Sequence, residues 1–194
     1  MPTDQIFIAT AKNIFPTKAF EYACKVAKGF DKEVCLISLD ENTNIVEYVN
    51  EFQAKTDVKI NYLEGNKVKN LTETLEQAEA SMVVFELCGK KPFNNISYFL
   101  KLSRQLRIPY IFVKEEYTEI NFNKIIVPVT FLVEEKEKGR FANNFGRFMK
   151  SEIVLLRAND YGSKAQNNVN AMKTLMDKYA THYEEIKANT LPEF

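Results

Sequence analysis

The sequence predicts an α/β fold, a doubly wound five-stranded parallel sheet followed by a partial second copy of the same unit. Three observations carry this prediction: short apolar runs alternate with amphipathic stretches, the linkers between them are short, and the opening pattern returns after residue 119. Strands that alternate with helices in this way are typical of a parallel sheet with helices on both faces. Right-handed crossovers would wind such a sheet in both directions.

Five apolar runs in the first 118 residues are predicted as strands, because each is short and most are rich in β-branched residues. They are Gln5–Ala11, Glu33–Leu39, Val58–Leu63, Ser81–Leu87 and Ile108–Val113. The third run alternates apolar with polar residues, which indicates a strand nearer the edge of the sheet.

Four helices are predicted between these strands. The first opens at Pro16, ends near Gly29 and has apolar residues at spacings of three and four, which form one buried stripe. The second has Ile45, Val49 and Phe52 on one face, and the third spans Asn70–Ala80. The stripe of the fourth is predicted from Ile96, Phe99, Leu100 and Leu102 or Leu106.

The stretch "NKIIVPVTF" (Asn123–Phe131) restarts the pattern. A shift of 119 residues without a gap places Ile6 on Ile125 and Glu33 on Glu152, and the apolar positions of the two segments coincide. An internal repeat explains this register, although any two β-α-β units share some of it. A helix with an apolar side at Val169, Met172, Leu175, Met176 and Tyr179 and a strand in "YEEIKANT" continue the copy as β-α-β-α-β. We therefore predict domains at 1–118 and 119–194, the second apparently truncated.

Composition excludes several classes of function. The 26 basic and 26 acidic residues give a net charge near zero, so no general attraction to nucleic acid or to an anionic membrane is expected. No apolar run approaches the roughly 20 residues that span a bilayer. Cys24, Cys35 and Cys88 are interpreted as reduced buried thiols of a cytoplasmic protein. With His182 as the single histidine, no metal site is expected, and no catalytic residue is identifiable.

The order of elements and three local patterns resemble the universal stress protein family in its tandem-domain form. The first pattern is an opening strand before a Pro- or Glu-rich helix start, in "IFIATAKNIFPTKAFEYACKVA" and "IIVPVTFLVEEKEKGRFANNFG". The second is a strand that ends near a polar turn, in "EVCLISLDEN" and "EIVLLRAND". The third is a strand, glycine loop and helix in "MVVFELCGKKPFNNISYFLKLSRQLRIPYIFVK". The resemblance implies the strand order 3-2-1-4-5 and dimers paired through fifth strands.

Many members of this family bind ATP, so the resemblance implies a ligand crevice at the carboxyl ends of the first and fourth strands. Glycines after the fourth strand would let backbone N–H groups close on phosphates at a helix N-terminus. The candidate binding residues are Thr10, Lys12, Leu39, Gly89, Lys90, Lys91, Asn94 and Asn95. The other interpretation is a solvated loop in which Asn94 or Asn95 caps the helix. Glu86 either points to this crevice or marks the end of its strand.

The loop departs from the family pattern of Gly, two residues, Gly, about nine residues and then Gly with Ser or Thr. Gly89 is followed at the second glycine position by Pro92, which has a fixed φ and no N–H, and no Gly-Ser or Gly-Thr follows before Ile108. The acidic residue that family members commonly have at the end of the first strand is also missing, since Thr10 and Thr130 stand there. These departures favour a protein without a bound cofactor, with ATP or another adenine nucleotide as the alternative.

We therefore expect a non-enzymatic stress-response protein of the universal stress type, acting through dimerisation and the binding of a partner or small ligand. The alternative is a nucleotide-binding protein that uses the diverged loop after the fourth strand. The strand Ile108–Val113 is predicted to mediate a homodimer, because an exposed apolar edge strand invites pairing. Packing of the second unit over that edge is the other possibility. The charge run Val133–Arg140 is interpreted as a solvated loop or a first helical turn.

Overall fold

A computed structural model describes residues 4–11, 15–39, 44–63, 70–89 and 95–188. The predicted site residues Lys12, Lys90, Lys91 and Asn94 lie outside the described residues. The chain divides into two compact units, Met1–Ile120 and Asn121–Phe194. Each unit is described by itself below.

The first unit alternates strands with helices throughout its described residues. In chain order its elements are β1 (Ile6–Thr10), α1 (Thr17–Phe30), β2 (Val34–Ser38), α2 (Ile45–Gln53), β3 (Ile60–Leu63), α3 (Leu71–Gln77), β4 (Met82–Leu87), α4 (Ile96–Ser103) and β5 (Tyr110–Lys114). The strands form one parallel sheet in the order β3-β2-β1-β4-β5, as predicted. The fold class is therefore confirmed.

Two neighbouring inner strands of this sheet, β1 and β2, are buried on both faces. All five residues of β1 and all five of β2 are buried, because helices cover both sides of the sheet. Ala19, Phe20, Ala23, Val26 and Ala27 form the buried stripe of α1, at the predicted spacings of three and four. On the other face, the side chains of Phe85 and Phe99 pack with ring centroids 4.8 Å apart. These layers hold the carboxyl ends of β1 and β4 in place.

Local sequence explains where two of the helices begin. Asn44 precedes α2 and its side chain accepts a hydrogen bond from the backbone N–H of Glu47, while Asn70 precedes α3 and accepts one from Thr72. Both are side-chain caps of the usual kind. The stripe of α4 differs from the prediction, since Leu100 is 43% exposed and Ser103 is buried in its place.

The second unit is a three-stranded parallel sheet with helical crossovers, in the predicted order β-α-β-α-β. Its elements are β6 (Lys124–Val129), α5 (Glu135–Asn144), a π-helical turn (Phe145–Met149), β7 (Glu152–Ala158), a 3-10 turn (Asn159–Tyr161), α6 (Gly162–Lys178) and β8 (Tyr183–Ala188). The strands are ordered β6-β7-β8. Tyr179, predicted on the buried side of the helix, lies beyond the end of α6 and is 41% exposed.

The shift of 119 residues found in the sequence also relates the first strand pair of one unit to the first strand pair of the other. Ile6 pairs with Val34 in the first sheet, and Ile125 pairs with Ile153 in the second. The crossovers to the next strand differ in length. In the first unit Val34 of β2 pairs with Ile60, 26 residues later, and in the second unit Ile153 of β7 pairs with Tyr183, 30 residues later. The β7–β8 crossover is thus four residues longer than the β2–β3 crossover.

The charge run Val133–Arg140 is more ordered than predicted. Most of it belongs to α5, which continues for ten residues, and the side chain of Glu135 is only 7% exposed. The interpretation as a solvated segment is therefore wrong for Glu135. Its carboxylate accepts hydrogen bonds from the backbone N–H of Thr130 at 3.2 Å and from the Lys138 ammonium at 2.9 Å.

Candidate functional site

The candidate site lies at the carboxyl edge of the first sheet, where β1 and β4 are neighbours. The strand order reverses direction between these two strands, and ligands of open α/β sheets bind outside the carboxyl ends of the strands at such a point. Pairing between them ends at Ala9 and Phe85, so Thr10 and Glu86 are the next residues on each strand. Glu86 and the residues after β4 therefore determine what this crevice can bind.

Glu86 is a buried carboxyl group that faces the start of α1. Its Oε2 accepts a hydrogen bond of 2.9 Å from the backbone N–H of Ala19, and only 4% of the residue is exposed. Pro16, the residue before α1, makes no side-chain cap, and the first turn of α1 contains no acidic residue. Glu86, which belongs to β4, therefore caps the N-terminus of α1 although it is distant in sequence. The Glu86 side chain is thus directed at the start of α1, and β4 ends one residue later, at Leu87.

Burial raises the pKa of the Glu86 carboxyl to about 7. The backbone N–H groups of Ala19 and Lys18 oppose this rise, since they stabilise the charged form, and the carboxylates of Glu115 and Glu21 add to it. The group therefore exchanges its proton near neutral pH. A helix N-terminus attracts anions, and here a carboxyl group of the protein already lies against the N-terminus of α1.

Asn95 ties the loop after β4 to the first turn beyond it. Its side-chain Oδ1 accepts a hydrogen bond of 2.9 Å from the backbone N–H of Cys88, and its Nδ2 donates one of 2.9 Å to the backbone oxygen of Glu86. Its own backbone N–H donates to the Cys88 oxygen at 3.1 Å. Asn95 stands at the cap position of α4 but makes no side-chain bond to that helix. Its amide therefore holds the loop, and only 2% of the residue is exposed.

Gly89 is exposed, but its conformation does not require glycine. Its φ lies outside the left-handed region, and a Cβ added there would come no closer than 3.6 Å to the Ile96 side chain. A glycine that admits a phosphate normally uses backbone freedom that other residues lack. Gly89 shows no such requirement.

Thr10 and Leu39 lie side by side at the carboxyl ends of β1 and β2. The backbone oxygen of Thr10 accepts a hydrogen bond of 2.9 Å from the N–H of Leu39, and Thr10 is 2% exposed. Of the eight predicted site residues, the structure thus describes Thr10, Leu39, Gly89 and Asn95. Thr10 and Leu39 meet beside β1, whereas Gly89 and Asn95 lie in or beside the loop after β4.

The second unit contains a buried charge cluster that sequence reasoning missed. Arg157 in β7 and Glu185 in β8 have side chains that are 8% and 14% exposed, and the Nε of Arg157 lies 3.8 Å from Oε1 of Glu185. The Lys173 ammonium of α6 donates to the other oxygen of Glu185. Lys173 is the leading cause that lowers the pKa of the Glu185 carboxyl, with smaller contributions from Lys187 and Arg157. The charged residues within the short segment "YEEIKA" were the only signal in the sequence.

Within the described ranges, no cluster of three His, Cys, Asp or Glu side chains could hold a metal ion. The same ranges contain no helix that is long and apolar enough to cross a membrane. All three cysteines are free thiols, and burial raises the pKa of Cys35 to about 12.

The fold is similar to that of solved universal stress proteins. A universal stress protein from Archaeoglobus fulgidus DSM 4304 superposes with a TM-score of 0.65 at 14% sequence identity, over 97% of this chain and 78% of that chain. A universal stress protein solved in complex with cAMP matches with a TM-score of 0.45 at 14% identity, over 59% of this chain and 98% of that chain. A scan of family models and a search of curated proteins found no match.

Proposed function

We propose that this chain, which has the fold of universal stress proteins, is a non-enzymatic stress-response protein that acts through dimerisation and partner or small-ligand binding. The hydrogen bond between Glu86 and Ala19 carries this proposal. It places a protein carboxyl group at the helix N-terminus beside the crevice, where a nucleotide phosphate would otherwise be attracted. The free thiols favour a reducing compartment, and we propose the cytoplasm.

The neighbouring loop supports the same function. Both side-chain groups of Asn95 are engaged with the backbone of Cys88 and Glu86, so this amide does not reach a ligand without breaking buried bonds. Nor does Gly89 have the left-handed conformation that would distinguish a glycine-dependent phosphate loop. The described part of the crevice is thus built for internal hydrogen bonding.

Strand β5 is the proposed dimer surface. It pairs with β4 and is an edge strand of the described sheet. The backbone oxygen of Pro109 accepts a hydrogen bond from the N–H of Val83, and the N–H of Glu115 donates one to the oxygen of Leu87. Because backbone groups alternate in direction along a strand, the N–H and C=O of odd-numbered residues face β4. The backbone groups of Tyr110 and Phe112 consequently face the open edge of the sheet. Tyr110 is also 44% exposed, and such an edge can pair with a second copy.

The dimer is tested by light scattering on the full chain. Tyr110→Lys places a charge on the edge, a device that blocks strand pairing, and we expect it to shift a dimer toward monomer. Tyr98→Lys is the matched control, because Tyr98 is 46% exposed and lies on α4. A wild-type monomer at high concentration, or equal dimerisation by both variants, would reject the proposed surface.

Nucleotide binding is the second candidate function. It is favoured by position, since Thr10 ends β1, and β1 and β4 adjoin at the strand-order reversal where α/β proteins bind ligands. Thermal shift with ATP, ADP, AMP and cyclic nucleotides, each with magnesium, separates the two candidates. A rise of several degrees at millimolar nucleotide would reject the nucleotide-free function. No shift, with no nucleotide released on denaturation, would reject the second candidate.

A further inference from the structure

We propose that the second unit binds a small phosphate-bearing ligand in a cavity at the amino edge of its sheet. The cavity has a volume of about 370 Å³, within the range of small-molecule sites. Its lining includes the basic residues Arg147, Lys150 and His182 together with Ser151 and Tyr179, and it contains no acidic residue. Its lining residues come directly before β7 and β8, whereas the candidate site of the first unit lies at the carboxyl ends of that unit's own strands.

The corresponding position in the first unit shows what is unusual about these charges. Lys28 lies three residues before Asp31, a left-handed residue that ends α1, and Arg147 lies three residues before Lys150, which ends the π-helical turn in the same conformation. In the first unit the Lys28 ammonium forms an ion pair of 3.0 Å with Asp57, three residues before β3. The residue three positions before β8 is Ala180.

Arg147 therefore lacks the carboxylate that neutralises its counterpart. Among the described residues it forms an ion pair with none, and its guanidinium instead lies 4.4 Å from the ring centroid of Tyr179. The helix-ending position has also changed sign, from Asp31 to Lys150. Two acidic groups of the first unit are thus replaced by an alanine and a lysine, which leaves a local excess of positive charge in a chain of zero net charge.

Two further features belong to the residues that line this cavity. Ser151 is 3% exposed, and its Oγ is buried with no hydrogen-bond partner among the described residues, although buried hydroxyls are normally paired. Gly146 lets the π-helical turn approach the segment before β8 closely, since a Cβ there would lie 2.3 Å from the Cγ2 of Thr181. Arg147 follows Gly146 directly, and π-helical turns are often found at functional sites.

These groups match a phosphate. A guanidinium, which can donate two parallel hydrogen bonds to one oxyanion, and an ammonium supply the charge, and an unpaired serine hydroxyl is buried beside them. Helix C-termini carry partial negative charge, and basic residues near them also occur simply to complement it. Ala180 separates ligand binding from this simpler explanation. Basic residues that only complement a helix end could keep an acidic partner such as Asp57 of the first unit, whereas a phosphate site requires its absence.

The test uses the full chain, ¹⁵N-labelled, titrated with inorganic phosphate, AMP or adenosine. We expect saturable shifts of the Arg147, Lys150, Ser151 and His182 amides with phosphate and AMP, and none with adenosine. Ala180→Asp restores the acidic partner and should weaken binding about tenfold, since a carboxylate next to the site repels the ligand. Ala180→Asn is the matched control and should bind within about twofold of wild type, because Asn also tolerates the left-handed φ of 52°.

A second pair of variants keeps the test informative if Ala180→Asp disturbs the fold. Lys150→Gln should weaken phosphate binding severalfold, whereas Lys164→Gln, at the far end of α6, should leave it unchanged. No saturable shift in the wild type, equal binding by Ala180→Asp, or adenosine shifting the same amides would overturn the proposal. The nucleotide candidate for the first unit is judged separately, by shifts of Thr10 and Gly89.

Discussion

The Glu86 carboxylate and the Ala19 backbone N–H are joined by a hydrogen bond of 2.9 Å that links β4 to the first turn of α1. The two residues are 67 positions apart in the chain. The first helix of the fold thus obtains its cap from the strand that forms the other side of the crevice. The charge on this carboxyl group therefore affects both the helix start and the sheet edge.

Replacement of Glu86 by Gln should remove a pH dependence of stability. A carboxyl group whose pKa rises from 4.5 to about 7 on folding binds more protons when folded, so the free energy of unfolding falls as pH rises across that window. The integrated effect is on the order of 2–3 kcal/mol. Wild type should therefore lose this amount relative to Glu86→Gln between pH 4.5 and pH 8, measured by urea unfolding. The loss should be complete a little above pH 7.

An exposed carboxyl group provides the control for that experiment. Glu51 is paired with Lys55 on the surface of α2, at 2.6 Å, and its side chain is 48% exposed. The stability of Glu51→Gln should follow the wild-type profile within about 0.5 kcal/mol. Parallel profiles for wild type and Glu86→Gln would contradict a buried carboxyl group with a raised pKa.

Asn95→Ala should destabilise the first unit by about 2–4 kcal/mol, because it leaves the N–H of Cys88 and the oxygen of Glu86 buried without these partners. Chemical denaturation measures this loss. Asn44→Ala removes an exposed helix cap with a 3.3 Å bond and should cost only about 0.5–1 kcal/mol. Equal losses for the two variants would show that the loop after β4 is not held by the Asn95 amide.

Gly146→Ala should destabilise the second unit by about 1–3 kcal/mol through steric overlap with the Thr181 methyl group. Thr181→Ser removes that methyl group and keeps the hydroxyl, which donates a hydrogen bond of 2.7 Å to Oδ1 of Asn143. The double variant should therefore recover most of the loss, which a double-mutant cycle measures as a coupling energy. Additive losses in this cycle would disprove the contact between position 146 and the Thr181 methyl group.

Gly89→Ala is the contrasting substitution. It should change the free energy of unfolding by less than about 0.5 kcal/mol, since a Cβ at Gly89 has room.

Glu185→Gln should cost about 1–3 kcal/mol, because it removes the carboxylate that lies 3.8 Å from the Arg157 guanidinium and accepts from the Lys173 ammonium. The pKa of Glu185 is lowered in the folded state, so its contribution is present above pH 4.5 and lost as pH falls through the lowered value. Acid unfolding of the wild type should show this loss and Glu185→Gln should not. Lys124, in an ion pair with Glu152 that is half exposed, offers the comparison: Lys124→Gln should cost under about 1 kcal/mol.

Much of the fold follows from sequence because its signals are local. The apolar stripe of α1 and the buried runs of β1 and β2 depend on spacing within a few residues, and the structure has them where they are predicted. Strand ends are less certain, since the strand predicted at Ile108–Val113 is observed at Tyr110–Lys114. Hydrogen bonding to β4 sets these ends, and the apolar run itself does not reveal it.

The candidate site was less predictable because its contacts are long-range. Periodicity indicates that Glu86 lies in a strand, but it does not reveal that the start of α1 lies opposite. Asn95 was placed at the helix start by its residue type, whereas its bonds go back to the loop before it. The excess positive charge around Arg147 becomes apparent only when Ala180 is compared with Asp57. The strand registers give this correspondence, whereas the constant offset of 119 residues does not, because the crossover before β8 has four extra residues.

The four extra residues are a net difference and do not correspond to one added helical turn. Helix α6 has 17 residues and α2 has nine, so the helix is eight residues longer while the whole crossover gains only four. At a rise of 1.5 Å per residue, eight residues add about 12 Å of helix, and the non-helical segments of the crossover are correspondingly shorter. Both crossovers still deliver a strand that pairs in parallel with its neighbour. In this architecture helix length and connection length therefore compensate for each other, and a redesign of either crossover should change the two together.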